Sequence, residues 1–323
     1  MTIPHMEPGT RLETTLEVPG GIHVPLLLTR GVRDGPRIAI LGGVHGDEYE
    51  GVVAAAGVWH DTDPADLRGS LVVVSVANPP AFEAGVRASP RDGLNLARTF
   101  PGSLTGSVTQ RIAHILSESV IKPADFLFDL HSAGQHYAMP LLAGAYAADN
   151  DLGRRCEAAA LAFGAPVYWA HPGVAAGRSL TVAVEAGIPN MYVECGGGGR
   201  VRPGDLRAYR QGVRRVLVHL GALPTDACTA SPERATRLRS TGDLDTWLTV
   251  SHSGILVESV GVLDRVSAGQ TLGDVVDERG HLLERVTAPF DGVVVMARRT
   301  ARVRPGDGAY MIALPDELEG PTR

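Results

Sequence analysis

Lysine is almost missing from this chain of 323 residues: Lys122 is the sole one, and the other 29 basic residues are arginines. Chemistry that needs a lysine therefore has one candidate. Cysteine is scarce too. Cys156, Cys195 and Cys228 are odd in number and widely spaced, which excludes a disulfide framework and a CxxC metal pair. That usage fits a reducing compartment, so a cytoplasmic location is expected. No run of about 18 apolar residues occurs, so no transmembrane helix and no membrane partner is expected. Residues 1–21 lack a basic segment followed by an apolar one, so no signal peptide is expected. Acidic residues outnumber basic ones by 36 to 30, for a net charge of −6, and no Lys/Arg-rich tail or stripe appears. A nucleic-acid partner is disfavoured.

What is present supports a sizeable core, with 44% hydrophobic and 20% charged residues. Residues 9–35 alternate apolar and polar side chains around Pro19-Gly20-Gly21 and predict an antiparallel hairpin. From Arg37 the texture changes. RIAILGG (37–43), SLVVVSVAN (70–78), ADFLFDLH (124–131) and NMYVEC (190–195) are near-continuous apolar runs, as in strands buried on both faces. Helical candidates lie between or after them: Tyr49–Trp59, Val108–Ser119, Asn150–Phe163, Ser179–Ala186 and Gly204–Leu220. The alternation predicts an α/β fold with a mixed, mostly parallel sheet flanked by helices. Ligands of such sheets gather at the carboxyl ends of the strands.

The alternation stops near Leu220. Residues 221–243, rich in Pro, Thr and Ser, read as a linker or surface excursion. The expected division is a catalytic domain over 1–228 and a smaller all-β domain over 229–323. The second part repeats: Gly254 matches Gly292, and Gly269-Gln270 matches Gly306-Asp307. The repeat predicts two quasi-equivalent halves of a small barrel or sandwich that resembles biotinyl and lipoyl carrier domains. No lysine follows residue 122, so cofactor attachment is excluded and a scaffold or cover over the active-site cleft is expected.

Four segments carry chemistry. In LGGVHGDEYEG (41–51), His45 and Glu48 follow a strand end three positions apart, where both can face one cation. Alone, HxxE is a common accident. In FLFDLHSAG (126–134), His131 ends another apolar run and would complete a two-His, one-carboxylate set with a position open for water. Asp129, two residues earlier, points to the same side as a partner for that imidazole. Glu194 in MYVECGGGG (191–199) is either a general base beside such a site or an ordinary strand-capping charge. Asn78, Arg87, Arg91, Asn95 and Arg98 crowd residues 78–102, as a solvated loop or as groups that polarise a carbonyl or clamp a carboxylate.

Taken in order, GxHGxE, NP…R.SP.DG.NL.R.FPG, DLHS.G and VE.GG resemble the succinylglutamate desuccinylase/aspartoacylase family of zinc carboxypeptidase-like deacylases. The resemblance runs from about residue 37 to 200 and extends weakly beyond. It implies one zinc ion held by His45, Glu48 and His131, and Glu194 as general acid and base. Arg87 would stabilise the oxyanion, Arg98 would anchor a substrate carboxylate, and Asn95 would line the same pocket. The implied reaction is hydrolysis of a small N-acyl amino acid, with N-acetyl-diaminobutyrate-type compounds attractive. One departure stands out: the family usually has a second Asn where this chain has Ala97, which predicts a weaker grip on a carboxylate. The rival readings are a metallocarboxypeptidase acting on a small peptide and, more remotely, a non-catalytic metal- or metabolite-binding protein. Homo-oligomerisation stays open. Among the other histidines only His136 and His171 are placed where they could reach the pocket, and Trp59 and Trp169 read as packing residues.

Overall fold

A computed structural model describes residues 3–227, 235–239 and 247–315. The first part comprises β1 (Thr10–Val18), β2 (Ile22–Arg30), β3 (Arg33–Gly42), α1 (Tyr49–Asp61), β4 (Arg68–Val74), α2 (Pro79–Ala84), α3 (Val108–Leu116) and β5 (Phe126–Leu130). It continues through β6 (Tyr137–Ala138), β7 (Leu142–Tyr146), α4 (Asp151–Phe163), β8 (Val167–His171), α5 (Ser179–Glu185), β9 (Asn190–Glu194) and α6 (Pro203–His219). The later strands are β10 (Thr236–Arg239), β11 (Leu248–Thr249), β12 (Gly254–Glu258), β13 (Arg265–Val266), β14 (Thr271–Val276), β15 (Leu282–Thr287), β16 (Gly292–Arg298), β17 (Arg302–Val303) and β18 (Gly308–Pro315).

The mixed sheet expected of the sequence is present, with β4, β3, β5 and β9 running parallel as neighbours in that order. The predicted hairpin is β1–β2, paired antiparallel from Thr10↔Arg30 to Val18↔Ile22. Each face of the sheet buries its apolar side chains under helices. Ala54 and Val58 of α1, Cys156 and Phe163 of α4, and Tyr209 and Val213 of α6 pack on one face. Ile112 of α3 and Val182 of α5 pack on the other. Burial on both faces explains why these strands read as continuous apolar runs.

Strand ends level with one another place the functional loops side by side. Gly42 pairs with Leu130, and Leu130 with Val193, so β3, β5 and β9 end together. Two glycines allow the close turns there. Gly43 takes a left-handed φ of 62°. A Cβ at Gly51 would lie 2.1 Å from the Leu130 carbonyl oxygen, so α1 can press its first turn directly on β5.

The 221–243 stretch is more than a linker. Its residues 236–239 form β10, which pairs parallel with β8 and antiparallel with β18. A four-residue strand is too short to show a period, but Leu238 is fully buried beneath the sheet's far end. Through β10 the mixed sheet continues into β18, β16 and β13. Residues 228–234 and 240–243 of that reading lie outside the described residues.

The repeat has a structural counterpart. Units β12–β13–β14 and β16–β17–β18 start 38, 37 and 37 residues apart. Their short strands are exchanged: β13 pairs with β16, and β17 pairs with β12. Each half thus completes the sheet of the other. The short strand β6, which follows His131, pairs with β16 and joins the two parts of the chain beside the site.

Candidate metal centre and active site

His45, Glu48 and His131 converge where β3 and β5 end, all three buried. Glu48 Oε1 lies 2.8 Å from His45 Nδ1, and Oε2 lies 2.8 Å from His131 Nδ1. The Ser132 amide donates to the same Oε2 at 3.1 Å. The far nitrogen of each imidazole has its own partner. His45 Nε2 is 3.0 Å from Asn95 Oδ1, and His131 Nε2 is 3.1 Å from Asp129 Oδ1. Asp129 Oδ2 in turn accepts the Ser179 hydroxyl. Asp129 near the end of β5 and His131 just past it thus form the pair expected from their spacing.

The donor set fits a divalent cation. Asn95 Oδ1 also accepts the Ala97 amide at 2.9 Å, which identifies it as the oxygen and places the His45 proton on Nε2. Burial, reinforced by the Arg87 guanidinium, pushes His45 down to about 4. The imidazole is therefore neutral near pH 7, and its Nδ1 lone pair faces a carboxylate oxygen. Two electron-rich atoms in a buried site call for a positive charge between them. Two imidazole nitrogens and one carboxylate, each backed by a further hydrogen-bond partner, are a zinc-type ligand set with room for water. Burial also works to lower His131, but the Asp129 and Glu48 carboxylates on its two sides outweigh it and hold it above the usual histidine range. For Glu48 burial works upward, and the two histidines overcome it, keeping the carboxyl well below its ordinary range.

Glu194 ends β9, the next strand over, and lines the same cleft. Its Oε2 is buried without a protein partner. Burial, with the Glu48 carboxylate nearby, raises this carboxyl well above its ordinary range. A carboxylate with an unpartnered oxygen in the cleft that His45 and His131 also line can take up and release a proton. Cys195 turns away into the core near Tyr209, whose hydroxyl donates to the His131 carbonyl at 2.5 Å.

The cleft holds a cavity of about 80 Å³. Arg87 and Arg98 both line it. Arg87 Nη1 donates to Glu48 Oε1 at 2.9 Å while its side chain stays half exposed. Ala97 sits in the same wall, where the family's second Asn is expected. Asn95 lies behind His45 and faces an adjoining cavity that shares Arg87, Arg98 and Glu194 with the cleft. Several lining residues were not legible in the sequence. Arg178, at the start of α5, is buried in the cleft wall, and Trp169, packed in the core as its sequence setting predicts, also lines the cleft. Tyr192 and Met139 add to the catalytic part, while Trp247, Met296 and Met311 come from the later strands. The Gly-rich approach to Arg178 was the one available signal. His171 is buried beside the cleft, with Nε2 2.8 Å from the Tyr192 hydroxyl. His136 lies outside the cleft, 3.4 Å from Thr300 Oγ1.

Known proteins resemble this chain in sequence and fold. The catalytic-domain model of the succinylglutamate desuccinylase/aspartoacylase family matches residues 34–220. A Halomonas elongata protein named N-alpha-acetyl-L-2,4-diaminobutyric acid deacetylase is 33% identical over 299 residues, covering 91% of this chain and 86% of its own. Among solved structures, a succinylglutamate desuccinylase from Silicibacter sp. TM1040 superposes with a TM-score of 0.89 at 28% identity, covering 98% of each chain. The product-bound ectoine utilization protein EutE (DoeB) from Ruegeria pomeroyi gives 0.88 at 29% identity, covering 97% of this chain and 98% of its own. The chain belongs to the succinylglutamate desuccinylase/aspartoacylase family.

Proposed function

We propose that this protein is a zinc-dependent deacylase that hydrolyses the amide of a small N-acyl amino acid, with Nα-acetyl-diaminobutyrate the first substrate to try. The observation that carries this reading is the convergence of His45, Glu48 and His131 with the unpartnered oxygen of Glu194 in one cleft. Family membership and the Halomonas relative's name support amide hydrolysis.

Zinc held by His45 Nδ1, His131 Nδ1 and the Glu48 carboxylate would supply Lewis acidity toward water and the amide carbonyl. Glu194 takes the proton from the attacking water and returns it to the leaving nitrogen. Arg87, at the half-exposed edge of the cleft beside Glu48, meets the negative charge that develops on the carbonyl oxygen. Arg98 holds the substrate carboxylate, and Asn95 keeps His45 in its ligating tautomer. The later strands act as a cover: Trp247, Met296 and Met311 wall the cleft and favour small substrates over peptides. The buried free thiols of Cys156 and Cys195 suit a reducing, cytoplasmic setting. Among the described residues no helix is long and apolar enough to cross a membrane.

The test is a panel of N-acetyl, N-succinyl and N-formyl amino acids with zinc-loaded protein, alongside a dipeptide. Turnover of an N-acyl amino acid above the dipeptide supports the reading. The opposite order favours a metallocarboxypeptidase.

A further inference from the structure

Glu50 is a carboxylate that the proposed chemistry leaves unused, yet it is 1% exposed. A buried charge of this kind is costly unless hydrogen bonds hold it in place. Its partners come from two separate loops. Oε2 accepts the Ser132 hydroxyl at 2.7 Å, and Oε1 accepts the Gly197 amide at 3.2 Å. Ser132 directly follows the metal ligand His131, and Gly197 lies three residues after Glu194. The Ser132 amide is meanwhile spent on Glu48 Oε2. One residue thus touches both alternate carboxylates of the HGDEYEG turn, with its amide on Glu48 and its hydroxyl on Glu50.

Beyond the ladder of β5 and β9, single backbone bonds are all that hold the two loops together apart from Glu50. Pairing of β5 with β9 stops at Leu130↔Val193; past it the His131 and Ala133 amides donate to Val193 and Cys195, the Gly199 amide donates to Gly134, the Met139 amide donates to Gly196, and Ala138 bridges Gly197. Beyond it, residues 196–199 are four glycines, all with left-handed φ, the least self-determined backbone a chain can have. Space for Glu50 is made there by the missing side chain: a Cβ at Gly196 would lie 3.1 Å from Glu50 Oε1. The first turn of α1, where Glu50 sits, favours its negative charge.

We infer that Glu50 is a positioning residue: its carboxylate clamps the loop after His131 to the glycine turn after Glu194, and so sets the distance between the metal ligands and the general base. The inference rests on the deacylase reading for its kinetic consequence, but the clamp itself can be read without turnover.

The experiment compares Glu50→Ala and Glu50→Gln in the full chain. An amide at this position keeps both contacts, since its oxygen can accept from Gly197 and its NH2 can donate to the Ser132 oxygen. Glu50→Ala should lower kcat by about 10–100-fold with KM changed less than about threefold, and Glu50→Gln should recover most of kcat. Amide hydrogen exchange over 196–199 should rise at least about tenfold in Glu50→Ala and stay near the parent rate in Glu50→Gln. Equal loss in both variants, an unchanged kcat in Glu50→Ala, or exchange that does not move would overturn the inference. If Glu50→Ala does not fold, Ser132→Ala removes one arm of the clamp and should lower kcat about three- to tenfold, again with KM preserved; an unchanged kcat there counts against it. Should the parent protein hydrolyse no N-acyl amino acid, the deacylase reading fails, while the exchange data still decide the clamp.

Discussion

Nδ1 of His45 stands 2.8 Å from Oε1 of Glu48, an imidazole lone pair pressed against a carboxylate in a buried site. The Asn95 oxygen on the far side of the ring leaves no other tautomer for a neutral His45. A cation relieves this contact, so zinc should stabilise the fold. At zinc about 100-fold above its dissociation constant the expected gain is about 2.7 kcal/mol. Thermal unfolding with zinc and with EDTA checks it: Tm should be higher with zinc, and equal Tm values would deny the site.

Asn95 should support the metal more than the substrate. Asn95→Ala leaves the His45 Nε2 proton without its partner and should weaken zinc binding about 10–100-fold. Competition with a chromophoric chelator measures this directly. A loss confined to KM, with zinc affinity intact, would return Asn95 to a substrate-binding role.

Glu194→Gln keeps the shape of the side chain and removes its basicity. The rate should fall about 10²–10⁴-fold while zinc stays bound at one per chain. The raised carboxyl of Glu194 belongs to the chain without metal, where burial and Glu48 set it. Its removal from the pH profile is the accompanying sign: the limb of kcat/KM on the acid side should vanish in the variant.

Ala97→Asn adds an amide to the cleft wall beside Arg98. A hydrogen bond to a substrate carboxylate contributes about 1.5–3 kcal/mol, so KM for carboxylate-bearing substrates should drop about tenfold or more. An unchanged KM would show that the carboxylate binds elsewhere, with Arg178 the next group to test.

Much of this organisation was readable from the residues. Apolar runs that stop at Gly42, His131 and Glu194 betray buried strands, and the adjacency of β3, β5 and β9 then brings their ends together. The HGDE and DLHS turns place His45, Glu48 and His131 at strand ends, so local spacing was enough to single them out. Arg178, Trp169 and Met311 were not readable, because their approach to the cleft depends on loops and sheets that close only in three dimensions. The five-residue strands LAGAY and VYWAH lack a period long enough to read, as does the six-residue helix PPAFEA. β10 was hidden for the same reason. Leu238→Ala should cost about 2–5 kcal/mol of stability in denaturant unfolding, because that side chain is fully buried; a surface linker would lose almost nothing.

The most direct measurement is acetate release from Nα-acetyl-diaminobutyrate by the protein stripped of metal and then reloaded with zinc to a measured stoichiometry. Release that is absent in the stripped protein and rises in proportion to zinc, saturating at one ion per chain, is the expected result. Full release from metal-free protein, or none from this or any other N-acyl amino acid after reloading, would contradict it.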